Sequence, residues 1–156
     1  MKKILGMVLL IVLLITVTSI TSMKPNTMHS IQGNWELQSF YNYDGENITD
    51  TVPLAEGYRQ VKMYNDGKVM WSRTTSSDTK DADGNDVIGR FGFGSYKLTD
   101  DELIETIEYG DKGMMRDLET LRNFTFELEL KDNTYSQITT DSEGNRTFSE
   151  NYKRAD

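Results

Sequence analysis

The 156-residue chain carries 25 acidic residues, 17 basic residues, one histidine and no cysteine. Its length fits one domain with a sizeable core, and its net charge of −8 has the wrong sign for nucleic-acid binding, which needs a basic surface. The lack of cysteine excludes disulfides, thiolate metal sites, a cysteine nucleophile and a lipoprotein anchor on an N-terminal cysteine. The single histidine disfavours a histidine-rich metal site.

The first 21 residues have the pattern of a secretory signal peptide. Lys2 and Lys3 provide a positive start, residues 4–15 form an almost unbroken apolar run, and residues 16–22 are mostly small and polar. The apolar stretch also reaches the lower length limit of a membrane span, so an uncut anchor is the alternative. We therefore expect export to the periplasm or the extracellular space, with membrane contact only through an uncut segment. A linker (residues 22–30) and one domain (residues 31–156) follow.

Short runs of alternating apolar and polar residues begin at residue 33, and such alternation indicates half-buried β-strands. In the first run one face carries four residues: Trp35, Leu37, Ser39 and Tyr41. Seven further runs follow. The eight predicted strands cover residues 33–43, 58–64, 68–75, 90–98, 102–109, 123–130, 134–140 and 146–154.

The connections between these runs complete the fold prediction. The segment Asn65-Asp66-Gly67 is a strong hairpin signal, and residues 111–121 predict a short helix capped by Asp111. The polar residues 44–57 predict a long connection between the first two strands. The predicted fold class is all-β: an eight-stranded antiparallel up-and-down barrel, because closure leaves no free sheet edge.

Five short motifs resemble those of bacterial lipocalin-like domains of the calycin superfamily. They are the opening residues 33–40 and residues 63–73, 94–96, 107–109 and 152–154. The likeness covers about residues 31–154. It implies an exported, lipocalin-like barrel that binds a small apolar or amphipathic molecule, with no catalysis and no cofactor.

The same resemblance implies how one end of the barrel closes. Gly33 and Trp35 lie at the start of the first strand, where the tryptophan closes the end. Arg154 in the last strand is then expected to lie across Trp35 in a cation–π contact. Arg146 and Lys153 are alternative partners for the ring.

The candidate ligand contacts combine aromatic, methionine and charged side chains, which suit an apolar ligand with a polar end. They are Tyr41, Met63, Trp71, Arg73, Tyr96, Glu105, Tyr109 and Phe126. Arg73 shares a face with Val69, and an inward charge needs a partner or a ligand, for which Glu105 is the expected counter-charge. The alternative is a filled barrel that acts as an envelope structural or protein-interaction module.

Two further functions receive little support from the sequence. Residues 78–86 are rich in Asp and Asn, which are calcium-ligand types, but the loop glycine does not have EF-hand spacing. We interpret this segment as a solvated acidic loop and expect no metal site. An enzyme that uses the barrel cavity is a third hypothesis, but no residue pattern selects a reaction.

Export is testable on the native protein. N-terminal sequencing should find a start between Thr18 and Lys24, because a signal peptidase cuts after the small residues that follow the apolar run. Recovery of the chain with Met1 retained in the membrane fraction would instead support the uncut anchor.

Overall fold

The computed structural model describes residues 30–74, 80 and 84–155. The predicted signal segment and all but the last residue of the predicted linker lie outside these ranges. No helix within the described ranges is long and apolar enough to cross a membrane.

The described residues form nine β-strands and one short α-helix. The strands are β1 (Gly33–Asp44), β2 (Asn47–Pro53), β3 (Arg59–Asn65), β4 (Lys68–Thr74), β5 (Arg90–Leu98), β6 (Glu102–Gly110), β7 (Asn123–Lys131), β8 (Thr134–Thr140) and β9 (Arg146–Arg154), and the helix α1 (Lys112–Leu118) lies between β6 and β7.

Eight of these strands form a closed antiparallel ring. From β3 to β9 each strand pairs with the next one in the chain, and β1 pairs with both β3 and β9 to complete the circuit. This next-neighbour order is the up-and-down arrangement of lipocalins. The predicted all-β, lipocalin-like fold class is therefore confirmed.

The ninth strand corrects the prediction for residues 44–57. Instead of an irregular connection, Asn47–Pro53 forms β2, which pairs with the second half of β1 from Ser39 to Asp44. The first half of β1 pairs with β3 on that same side. Strand β2 thus extends the wall at one end of the ring. Four of its seven residues, Ile48, Thr49, Thr51 and Val52, are β-branched and favour a strand.

The turn between β3 and β4 forms as the sequence predicts. Asp66 and Gly67 both have positive φ angles, 51° and 77°, as a tight hairpin turn requires. Asn65 pairs directly with Lys68 across this turn. The register of β3 against β4 is therefore set locally.

Two β-bulges decide which side chains face the interior. The pairing of β1 with β9 shifts between Leu37 and Ser39, and the pairing of β5 with β6 shifts between Phe93 and Gly94. A bulge inserts one residue and so exchanges the inner and outer faces beyond it. As a result, Trp35 and Leu37 face inward before the first bulge, whereas Phe40 faces inward after it.

Trp35 closes one end of the ring and is completely buried. Its indole N–H donates to the carbonyl of Ile31 at 2.6 Å, and its ring meets Tyr135 edge to face at 4.8 Å between centroids. The Arg154 guanidinium lies 4.2 Å from the Trp35 ring centroid and also donates to the carbonyls of Ser30 and Gln32. This is the contact that the resemblance implies, with Arg154 rather than Arg146 or Lys153.

Replacement of Trp35 tests this packing. Trp35→Ala should lower the free energy of unfolding by about 3–5 kcal/mol, because it removes a large, fully buried aromatic side chain. Chemical denaturation measures this loss. Trp35→Phe should be less destabilising, since it keeps an aromatic ring but loses the hydrogen bond to Ile31. An unchanged unfolding midpoint in Trp35→Ala would contradict the inward facing of β1.

Candidate ligand-binding site

A buried ion pair lies across the middle of the ring. Lys62 on β3 and Glu105 on β6 face each other, and each side chain is only 4% exposed. The Lys62 ammonium donates to both carboxylate oxygens, at 3.0 and 3.1 Å, and to Oε1 of Gln137 on β8 at 2.6 Å. These three hydrogen bonds satisfy the ammonium completely, as a buried charge requires.

The Lys62–Glu105 pair and Gln137 form a polar layer, which the hydroxyls of two tyrosines extend on the side of the closed end. Tyr64 donates to the Glu105 carboxylate and lies 3.3 Å from the hydroxyl of Tyr135. Burial, reinforced by the negative charge of Glu105, raises the pKa of Tyr64 and of Tyr135 well above the ordinary value. Both phenols therefore remain protonated donors at neutral pH, while their rings pack in the core cluster around Trp35.

An inner cavity of about 290 Å³ lies on the other side of the polar layer. Its polar floor includes the Lys62–Glu105 pair and Gln137. Its apolar wall consists of Trp71, Ile107, Met114, Leu118, Phe124 and Phe126. The inner cavity is thus about half apolar and half polar, a combination that suits a small molecule with an apolar part and a polar part.

An outer cavity of about 680 Å³ adjoins the inner one. Strand β2 and the segment after it contribute Val52, Pro53 and Leu54, and β1 contributes Phe40. Val87 and Ile88, which precede β5, also line it. Arg73 and Arg90 line both cavities and so mark their junction.

Helix α1 covers one side of the inner cavity. The Asp111 carboxylate caps it by accepting the backbone N–H of Met114 at 2.9 Å. Met114 is buried and Leu118, four residues later, is half-buried, so the two side chains present one apolar face to the cavity. The helix and its cap agree with the prediction, except that the helix ends at Leu118 and Leu121 is 60% exposed.

The glycine opposite Trp71 positions that indole. Gly92 on β5 pairs with Trp71 on β4, and a Cβ atom at Gly92 would lie 2.6 Å from the indole nitrogen. Such a distance is shorter than any ordinary contact. The missing side chain therefore gives the indole the space in which it lines the inner cavity.

Four of the eight predicted ligand contacts line the inner cavity: Trp71, Arg73, Glu105 and Phe126. Their contact with a ligand stays a prediction. The expected Arg73–Glu105 pairing is wrong, because Glu105 pairs with Lys62. Arg73 instead donates from Nε to the carbonyl of Ile88 at 3.2 Å. Tyr96 packs against Tyr64, edge to face at 5.1 Å, as part of the core near the closed end.

The other three predicted contacts lie on the outer face of the ring. Tyr41 follows the β1 bulge and pairs with Ser149, while its neighbour Phe40 faces inward. Tyr109 follows the β6 bulge, is 57% exposed and stacks on Phe93 at 4.9 Å. Met63 is 42% exposed because Lys62 occupies the inward position of β3. Their predicted facing is corrected, and we assign them no ligand contact.

Several residues that line the cavities were not among the predicted ligand contacts. Gln60 and Lys62 read as outward positions because the apolar Val61 and Met63 alternate with them. Phe124 had a visible signal, since it shares a strand face with Phe126. Arg90 had none, because the apolar Phe91 and Phe93 alternate with it and predict an outward position for the arginine.

The acidic segment before β5 is described only in part. Asp78, Asp81 and Asp83 lie outside the described residues. Asp86 forms an ion pair with Lys80 at 2.5 Å. Within the described ranges, no group of three or more His, Asp or Glu side chains is arranged to hold a metal ion.

The chain is similar to two solved structures. One is an uncharacterized protein from Bacteroides eggerthii, 18% identical, where the likeness covers 80% of this chain and 99% of that chain with a TM-score of 0.48. The other is a lipocalin-like protein from Bacteroides uniformis, 14% identical, with 79% and 96% covered and a TM-score of 0.47. No protein-family model and no curated protein matches the chain.

The buried ion pair generates a stability prediction. Lys62→Met leaves the Glu105 carboxylate buried without its cation, so the free energy of unfolding should fall by about 3–5 kcal/mol. The double variant Lys62→Met/Glu105→Gln should be more stable than Lys62→Met alone, because the uncompensated charge is gone. Urea denaturation of each variant measures both effects.

Lys68→Met is the matched control for that experiment. Lys68 pairs with Glu108 at 2.8 Å on the outer face, where its side chain is 51% exposed. Loss of such an exposed pair should change stability by less than about 1 kcal/mol. Equal effects of Lys62→Met and Lys68→Met would contradict the buried position of the central pair.

Proposed function

We propose that this chain is a binding protein that holds a small amphipathic molecule at the open end of the ring. The observation that carries this proposal is the pair of adjacent cavities. The outer cavity has a mostly apolar wall, and the inner cavity combines an apolar wall with polar side chains at its floor and at the junction. The inner volume approaches the lower end of the range for small-molecule sites, and the outer volume lies within it.

We propose binding without catalysis. Lys62 and Glu105, the charged groups on the cavity floor, hydrogen-bond to each other. Glu150 also faces the inner cavity, and its carboxylate accepts hydrogen bonds from Gln60 and Tyr152. A general base or nucleophile needs a free lone pair aimed at a substrate. Lys62 and Tyr64 engage the Glu105 carboxylate, and Gln60 and Tyr152 engage Oε2 of Glu150, which supports a binding role.

We further propose that the protein acts outside the cytoplasm, as a periplasmic or extracellular protein. The support is Lys2, Lys3 and the apolar run after them, which have the order of a secretory signal. The proposal includes no cofactor or metal. The excess of acidic over basic residues argues against a nucleic-acid partner.

Uptake of a neutral apolar fluorophore tests the binding proposal. N-phenyl-1-naphthylamine should bind the protein with increased and blue-shifted emission. Val52→Asp should weaken this binding at least about tenfold, because an apolar ligand would then desolvate a carboxylate in the cavity wall. Val52 is half-buried on β2 and lines the outer cavity.

Ile48→Asp is the matched control on the same strand. Ile48 is 52% exposed and is not part of either cavity wall, so the probe should bind this variant as it binds the wild type. If the wild type takes up no probe, the binding proposal fails. The alternative hypothesis, a filled ring with a structural or protein-interaction role, would then be favoured.

A further inference from the structure

Two arginines face each other at the junction of the cavities. Arg73 on β4 and Arg90 on β5 are direct cross-strand partners, and both line the inner and the outer cavity. Like charges directly opposite each other on neighbouring strands are destabilising. An anion between the two guanidinium groups would relieve this repulsion.

The two arginines differ in their protein partners. Arg90 donates to the Asp117 carboxylate on α1 at 2.8 Å. Arg73 contacts neutral acceptors: the Ile88 carbonyl and the hydroxyl of Tyr58. No carboxylate of the described residues lies within ion-pair distance of Arg73. A guanidinium has five N–H donors, so Arg73 keeps donors for a ligand.

The other cations around the cavities have carboxylate partners. Lys62 is neutralised by Glu105 on the cavity floor, and Lys80 by Asp86 at the rim of the outer cavity. Glu150 is held on the β9 wall by hydrogen bonds from Gln60 and Tyr152. Among the described lining residues, Arg73 is therefore the cation without an ion-pair partner, and Glu150 is the carboxylate without one.

We propose that Arg73 and Arg90 bind the anionic head group of an amphipathic ligand, with the head group at the cavity junction. A carboxylate matches the planar donor fork of a guanidinium and binds it with charge-assisted hydrogen bonds. The apolar tail of the ligand lies in the outer cavity against Phe40, Val52 and Leu54, because the inner cavity ends on a polar floor. This inference rests on the proposed binding function and specifies its ligand class.

Two eight-carbon probes with different head groups test the proposal. Isothermal titration calorimetry of the full chain at neutral pH should show octanoate binding at least about tenfold more tightly than 1-octanol, the factor expected for a hydrogen bond to a charged group. Arg73→Gln should remove this preference by weakening octanoate alone. Arg59→Gln is the matched control, because Arg59 pairs with Glu36 on the outer face and its side chain is 61% exposed.

A second variant keeps the test valid if Arg73→Gln does not fold. Asp117→Asn releases Arg90 from its carboxylate partner at an exposed position of α1, so it should strengthen octanoate binding and leave 1-octanol unchanged. A merely structural role of the arginines would produce no such gain.

The outcomes separate this inference from the function on which it rests. Equal affinities for octanoate and 1-octanol would overturn the anion site but leave amphipathic-ligand binding intact. An octanoate preference that survives Arg73→Gln, or no gain in Asp117→Asn, would also overturn the assignment. Failure of both probes and of N-phenyl-1-naphthylamine to bind would overturn the two proposals together.

Discussion

The buried pair of Lys62 and Glu105 divides the interior of the ring into two chemically different halves. On one side the rings of Tyr64, Tyr135 and Trp35 pack into a continuous core, while the two tyrosine hydroxyls reach the polar layer. On the other side the interior opens into the cavities. A buried charge is tolerated only with complete hydrogen bonding, so this pair constrains the positions of the strands that carry it. The boundary between the packed core and the cavities is therefore fixed at the position of this pair.

Three cations at different positions along the interior, Lys62, Arg154 and Arg73, have three different kinds of partner. Lys62 has a carboxylate in the middle of the ring, whereas Arg154 at the closed end has an aromatic face and backbone carbonyls. Arg73 at the open end has neutral acceptors and faces the cavities. Burial strengthens the need for a charged partner, and proximity to water weakens it. The open end is thus where an arginine can remain available to a ligand.

Local sequence signals predicted the strands, the turn and the helix cap well. They failed to predict which side chains of a strand point into the ring. The alternation around Trp35, the turn at Asp66 and the cap at Asp111 each depend on neighbouring residues, and each agrees with the structure. Tyr41 and Tyr109 were placed inside because strict alternation was carried past positions where a bulge reverses it. A bulge depends on the partner strand, so the residues of one strand do not reveal it.

The sequence by itself determined the all-β class, the eight ring strands and the short helix, because period-2 alternation, turn residues and a cap are local properties. Only the tertiary structure decided that Lys62 rather than Met63 faces inward, since a lysine can be buried only where Glu105 and Gln137 meet it from two other strands. The pairing of β2 with β1 and the meeting of Arg73 with Arg90 were decided in the same way. Lys62 meets Glu105 only after the ring has closed, and the other two contacts depend on the register between two strands, which the residues of one strand do not reveal.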